Sequence, residues 1–284
     1  MVSIGETSEN YLSIKFKKSS DVNDLLLNTF RRVILSELYS FAFAPPEISI
    51  PTNTSILNND HLRHRISLLP IQSFKEKHLP NTNITVSLVQ ENTDDIIKTV
   101  TTDHCIVRIN NIITPNIFPS PPVIICNLKE SQKLEFTALA SYGKAITHNM
   151  YAAASNSYFE EFDNHYILYI ESLGQYTCKE IYKKSIELFK DKITNIHKHI
   201  LDQPESDSNY IEIKFENENH TFGAIFVHVL QQLKEIVFAG YKMEHPSINN
   251  LEITINTDGT KNVKKVVDIV IKKLHDIFNE MNIK

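Results

Sequence analysis

Leu12, Ile14 and Phe16 alternate with Ser13, Lys15 and Lys17 across Tyr11–Lys17, the period of a strand with one face buried. The period then lengthens. Leu26, Phe30, Val33, Ile34 and Leu38 recur at helical spacing, while Arg31 and Arg32 fall mainly off that stripe. Ser20-Asp21 offers an N-cap, and Asp24 sits in the first turn, where a carboxylate meets the positive end of the helix dipole. The spacing predicts a helix through Tyr39, halted at Ala44-Pro45-Pro46 because proline lacks an N–H and disfavours helical geometry in the residue before it.

From 45 to 161 no long helical period is present. Proline, asparagine, threonine and β-branched residues dominate, with strand-like runs at 84–89, 105–109, 123–126 and 133–138, which predicts a β-rich domain. A strand follows at 162–170. Thr177-Cys178-Lys179-Glu180 is a capping box, and the helix behind it, to about His199, places Ile181, Leu188, Phe189, Ile193 and Ile196 on one face. Residues 201–209, with Pro204 among polar and acidic neighbours, read as a linker. Beyond it come a strand at 210–215, a helix from Thr221 to Glu235, strands at 237–241 and 251–257, and an Asp258-Gly259 turn. Gly240 is expected at a strand end, and His245-Pro246 at a rigid turn.

The final helix aligns Val263, Val266, Val267, Val270, Leu274, Ile277, Phe278 and Met281. That stripe is wider than a module of this size can cover, so it is expected to pack on the helix at 177–199. Both ends of the chain share a strand–helix–strands–helix order without repeating by identity, as two related halves paired about a pseudo-twofold axis would.

At 284 residues and 42% hydrophobic, the chain can build one large domain or two to three small ones. A net charge of −5 leaves no basic footprint for a phosphate backbone, so specific nucleic-acid binding is not expected. Three well-separated cysteines, Cys105, Cys126 and Cys178, argue against a disulfide framework and for a reducing compartment. The first ten residues are too polar for a signal peptide, and no apolar run reaches the roughly 18 residues that span a bilayer. Neither phosphate-binding loops nor nucleophile elbows nor zinc-protease motifs occur.

The segments Glu218-Asn219-His220-Thr221-Phe222-Gly223 and Phe238-Ala239-Gly240-Tyr241-Lys242, with His245-Pro246, resemble the signature of the eleventh subunit of RNA polymerase II and archaeal subunit L. Three upstream blocks resemble that subunit's partner, the third subunit (archaeal D; the N-terminal domain of bacterial alpha). They are Asn28 to Glu37 with its Arg31-Arg32 pair, Asn53-Thr54-Ser55-Ile56-Leu57 through His64-Arg65-Ile66 to Pro70, and Ala140-Ser141-Tyr142-Gly143-Lys144 through His148 to Glu171-Ser172-Leu173-Gly174. The third block departs furthest from the family, and Ser67, Phe222 and Ala224 stand where the family has Gly, Leu and Asn.

The resemblance implies an α+β fold in which two related strand–helix dimerisation halves form an intramolecular pseudo-dimer. Residues 1–44 and 162–200 would be the third-subunit-like half, 45–161 its β-rich insert, 201–209 the linker and 210–284 the eleventh-subunit-like half. It also implies a non-catalytic assembly platform of a DNA-dependent RNA polymerase, with no cofactor. Its implied partners are the largest and second-largest subunits and a small zinc-bundle (tenth-subunit-like) subunit. Asn28, Arg31, Arg32, Glu37, His64 and Arg65 become the candidate large-subunit contacts. Phe30, Ile34, Ile181, Leu188, Phe189, His220, Thr221, Phe222, Val267, Val270, Leu274 and Phe278 become the candidate pseudo-dimer interface. Fusions of this kind are expected in large cytoplasmic DNA viruses, hence a cytoplasmic factory or a virion, with the nucleus as the alternative.

Rival readings remain. A stand-alone adaptor could use the same fold. Glu218, His220 and Thr221 invite a general-base reading, against a structural one in which Asn219 or Thr221 caps a helix and His220 lies between the halves. His61 and His64 with Cys105 and Cys126 lack the short paired spacing of a zinc site, so no metal is expected, and His64-Arg65 is expected to fix a loop.

Overall fold

The structure is a computed structural model that describes residues 2–72, 82–202, 209–245 and 248–283. In chain order it begins with strands β1 (Val2–Thr7) and β2 (Tyr11–Lys17), helix α1 (Asp24–Ser36), strand β3 (Tyr39–Asn53) and helix α2 (Asn59–Ser67). Strands β4 (Ile84–Glu91), β5 (Lys98–Thr101), β6 (Ile106–Ile109), β7 (Ile112–Thr114), β8 (Ile124–Leu128) and β9 (Lys133–Lys144) follow. Next come β10 (Ala154–Glu161), β11 (His165–Ser172) and helix α3 (Cys178–Leu201). The chain ends with β12 (Tyr210–Glu216), α4 (His220–Gln231), β13 (Ile236–His245), β14 (Ile248–Thr257) and α5 (Val263–Glu280). The fold is α+β.

Two compact units are present. One combines residues 1–34, 156–170 and 182–284; the other combines 35–155 and 171–181. The first holds a four-stranded sheet in the order β1-β2-β11-β10, a three-stranded sheet in the order β12-β14-β13, and most of α1, α3, α4 and α5. Both sheets bury one face through alternation: Leu12, Ile14 and Phe16 on β2, and Leu251, Ile253 and Ile255 on β14. In the second unit the main sheet runs β3-β9-β4-β6-β7, with β5 paired to β8 as a separate ribbon. Its core gathers Phe43, Leu62, Ile66, Leu88 and Phe136.

Three expectations need correction. First, α1 is capped by Asn23, whose Oδ1 accepts from the Leu26 N–H at 3.0 Å, not by Ser20-Asp21. It ends at Ser36, and β3 is already paired to β9 from Tyr39 onward. Pro45 and Pro46 lie inside β3 at a register shift between Phe43 and Ile48, where the missing N–H breaks no ladder bond. Second, the segment around His64-Arg65 is a helix, not a loop. Asn58 caps α2 by accepting from the His61 N–H at 2.8 Å, Leu62 and Ile66 bury its inner face, and Leu69 is buried just beyond its end. Third, Gly240 sits within β13 opposite Thr254, not at its end, and an added Cβ there would meet the Phe238 ring at 2.9 Å. Pro246, expected in a turn, and 203–208 of the expected linker lie outside the described residues.

Glu252 carries a pH dependence. On the central strand β14 it faces Lys214 on β12 and Lys242 on β13, directly opposite on either side, with Nζ–Oε distances of 3.5 and 2.6 Å. The hydrogen bond from Lys242, then the positive charges of both lysines, hold its carboxyl below the usual carboxylate range. A depressed folded pKa contributes stability that is present above the unfolded value of about 4.3 and is lost as pH falls through the folded value. Glu252→Gln should therefore flatten the acid side of the stability curve. Urea unfolding at pH 7 and in steps below pH ~4.3 tests this, and parallel curves for the two proteins would remove the assignment.

Candidate functional site: a helix seam within one chain

Four helices of the first unit meet along a seam joining residues before the linker to residues after it. The apolar stripe of α5 packs against α3, the mate expected from its width. Phe278 on α5 lies 4.5 Å, centroid to centroid, from Phe189 on α3 and stacks at 5.6 Å on Phe30 of α1. Phe30 also packs on Tyr182 at 5.6 Å, and Phe189 on Phe222 of α4 at 6.4 Å. All five rings are fully buried, so the centre of the seam is an aromatic cluster supplied by every helix.

Polar contacts fix the register around that cluster. From one end of α3 to the other, Tyr182 donates to the Met281 carbonyl at 2.7 Å, and Lys190 Nζ to Asn279 Oδ1 at 2.6 Å. Further along, Thr194 meets His275 at 3.4 Å and His197 Nε2 meets Asp268 Oδ1 at 2.6 Å. Rising numbers on α3 pair with falling numbers on α5, so the two run antiparallel. Helices α1 and α4 do the same: Arg32 Nε donates to Thr221 Oγ1 at 2.7 Å, and Asn23 Nδ2 meets His228 Nε2 at 3.0 Å. These two contacts are mates. Asn23 caps α1, and Asn219 caps α4 by accepting from the Thr221 N–H, so each cap region touches the far half of the opposite helix. Two antiparallel pairs of corresponding helices are what a twofold relation between halves requires. An ion pair between Lys192 and Glu218 at 3.2 Å, both less than a fifth exposed, ties α3 to the start of α4.

Of the candidate seam residues, Phe30, Ile34, Ile181, Phe189, Phe222, Val267, Val270, Leu274 and Phe278 are all buried, and Thr221 is held by Arg32. Two differ from expectation. His220 is exposed as the first residue of α4, with its ring edge-on to Tyr241 at 5.7 Å, because Asn219 already supplies the cap. Leu188 is only half-buried; the helical phase of α3 turns Tyr182, Ser185 and Ile186 inward instead. Tyr182 was absent from the expected face although it lies seven residues before Phe189, two helical turns along the same face. Its burial pushes the phenol far above its ordinary range, which keeps it a donor to the Met281 carbonyl. Gly223 lets α4 approach the sheet: a Cβ there would meet Leu251 and Tyr241 at 2.8 Å.

The candidate partner contacts fall in both units. Asn28 and Arg31 are half-buried on α1, with both Arg31 Nε and Nη2 donating to Asn28 Oδ1; Arg32 is exposed beside them. In the second unit His64 and Arg65 are exposed on α2, and Arg65 donates to the carbonyls of Ile124 and Ile125 on β8 at 2.8 and 3.0 Å. Glu37 does not fit a surface contact. It is 6% exposed and ion-paired with Lys144 at 3.4 Å, an internal anchor between the end of α1 and β9.

No constellation for chemistry emerges at the suggested places. Glu218 faces Lys192 while His220 faces Tyr241, so acid and base diverge. Burial raises the Cys105 thiol to about 12 and those of Cys126 and Cys178 to about 11, which keeps all three protonated at neutral pH and poor as nucleophiles or metal ligands. Among the described residues no group of three or more His, Cys, Asp or Glu side chains could hold a metal ion, and no helix is long and apolar enough to cross a membrane.

Strand–helix segments before and after the linker thus meet across two antiparallel helix pairs within one α+β unit. The RNA polymerase Rpb3/Rpb11 dimerisation domain matches residues 210–284. A protein of Acanthamoeba polyphaga mimivirus, described as a DNA-directed RNA polymerase subunit, is 25% identical over 252 residues, covering 84% of this chain and 69% of that protein. Subunit Rpo3 of Methanocaldococcus jannaschii is 24% identical over 195 residues, covering 68% of this chain and 93% of Rpo3. Subunit Rpo11 of Saccharolobus solfataricus is 33% identical over 72 residues, covering 25% of this chain and 75% of Rpo11. The chain belongs to the Rpb3/Rpb11 family of DNA-directed RNA polymerase subunits, which are structural rather than catalytic. Such a subunit sits in a multisubunit polymerase.

Proposed function

We propose that the chain is a fused assembly platform, with a third-subunit-like part, its β-rich insert and an eleventh-subunit-like part on one polypeptide. The platform docks the second-largest subunit, takes up a small zinc-bundle subunit and then admits the largest. The observation that carries this reading is the seam: two antiparallel helix pairs, meeting inside one compact unit, join the segment matched by the dimerisation domain to α1 and α3. The likeness to a mimivirus subunit supports work in a cytoplasmic viral factory, with packaging in a virion or a nuclear site as alternatives.

Asn28, Arg31, Arg32, His64 and Arg65 are the proposed large-subunit contacts. Co-purification tests the platform. It should bring down two very large subunits in equal amounts, whereas recovery of a single other protein favours the adaptor. Arg31→Glu combined with Arg32→Glu should leave the chain folded and weaken capture of the second-largest subunit by ten-fold or more, about 1.4 kcal/mol. Because Arg32 also bonds Thr221, Thr221→Val serves as the control: it removes the internal bond and should leave capture intact. Undiminished capture by the doubly reversed variant would withdraw this surface.

A further inference from the structure

The seam carries one ion pair twice over, once from each half. Aligning the cap asparagines, Asn23 of α1 and Asn219 of α4, brings Phe30 onto Phe226 and Ile34 onto Leu230, all buried, and Arg32 onto His228. On the long helices, aligning Ser185 with Val266 brings Phe189 onto Val270, Ile193 onto Leu274 and Ile196 onto Ile277, again all buried. That alignment also sets Lys192 on Lys273. Lys192 Nζ lies 3.2 Å from Glu218, just before the cap of α4, and Lys273 Nζ lies 3.0 Å from Asp21, just before the cap of α1. Each long helix thus sends a lysine to a carboxylate at the entry to the other half's short helix.

The apolar stripes alone do not choose a register. A shift of four residues carries Val263, Val266, Val267 and Val270 of α5 onto Val267, Val270, Ile271 and Leu274, all buried. A seam slid by one helical turn, about 5.4 Å, would therefore still bury apolar side chains. The bonds from Lys190, Thr194 and His197 are exposed, so water can replace them after a slip. The buried bond from Tyr182 to Met281 marks the α3–α5 pair but not the α1–α4 pair. The two ion pairs tie each long helix to the short helix opposite, and they are poorly hydrated. Lys192 and Glu218 are 18% and 15% exposed. Asp21 Oδ1 is sealed from solvent and faces the Lys273 ammonium, which also donates to Gln232 Oε1 at the end of α4 at 2.6 Å. A slip would strand these charges with little water to receive them, which costs far more than losing an exposed bond.

We infer that Lys192 with Glu218, and Lys273 with Asp21, determine the register in which the two halves pair, as twofold-related charge locks that select one of several alignments the apolar stripes allow. Setting an alignment that apolar packing leaves degenerate is the best-attested use of buried charge between paired helices. Two locks related by the twofold act together, because a tilt that satisfies one breaks the other. The inference stands on the seam and goes beyond the platform reading.

The test reads distances in the full chain. Ketone-bearing residues replace Lys183 and Lys265, both exposed and toward the starts of the antiparallel helices α3 and α5, and are coupled to nitroxides without touching the native cysteines. Pulsed electron resonance should give one narrow distance for the parent chain. Lys192→Met/Glu218→Leu/Lys273→Met/Asp21→Leu should stay folded and add a second distance, shifted by about 5 Å, in at least about a tenth of the molecules. The charge-exchanged variant, Lys192→Glu/Glu218→Lys/Lys273→Asp/Asp21→Lys, should return the single distance. An apolar variant that keeps one distance, or a charge-exchanged variant that also shows two, overturns the inference. Should the apolar variant not fold, Lys192→Gln/Lys273→Gln takes its place under the same two outcomes. The readout needs no other subunit, so failure to capture one would overturn the platform reading and leave this result standing.

Discussion

Phe278→Ala is expected to destabilise the chain by about 3–5 kcal/mol, the range for deleting a fully buried phenylalanine. Phe278 is 0% exposed and touches rings from α1 and α3, so the cavity would open at the centre of the seam and not within either half alone. Urea unfolding measures the loss. A cycle with Phe189→Ala should return a coupling of roughly 0.5–1.5 kcal/mol for the ring pair. A cost below about 1 kcal/mol would mean that the halves are held elsewhere.

The second large effect concerns the covalent connection. If a protease site is introduced within 203–208 and cut, the two fragments should still co-elute, because the aromatic cluster at the seam draws rings from both. Their stability should then depend on concentration. A connection of this length supplies an effective concentration near millimolar, so at 1 μM the cut protein should be about 4 kcal/mol less stable than the intact chain. Unfolding midpoints across a hundred-fold dilution series read this directly. Two separately eluting, individually folded fragments would end the account of the seam.

The helical face of α5 was legible because eight apolar positions keep one period over the whole element, and a stripe that long must be covered. The capping box of α3 was legible for a local reason: the Thr177 N–H reaches Glu180 Oε2 at 2.8 Å with no help from the rest of the chain. The end of α1 was not. Leu38 extends the stripe, and two prolines downstream look like a stop, yet Tyr39 onward gains more from pairing with β9 than from another helical turn. Helix α2 escaped notice because nine residues barely establish a period, although Leu62 and Ile66 hold it. Arg32 finds Thr221 across 189 residues of sequence, a pairing that no local rule reaches. His220 shows the converse: a polar residue inside a family motif reveals its type but not its exposure.

The correspondence between Asn23 and Asn219 bears on how the molecule is made. When twofold-related surfaces are separate gene products, each newly synthesised copy must find the other kind and avoid its own. Here the ratio is set during translation, one to one, and every ribosome delivers both. Mispairing is then no longer a hazard to guard against, which leaves the two contacts free to drift apart chemically: a guanidinium on a hydroxyl at one, an amide on an imidazole at the other.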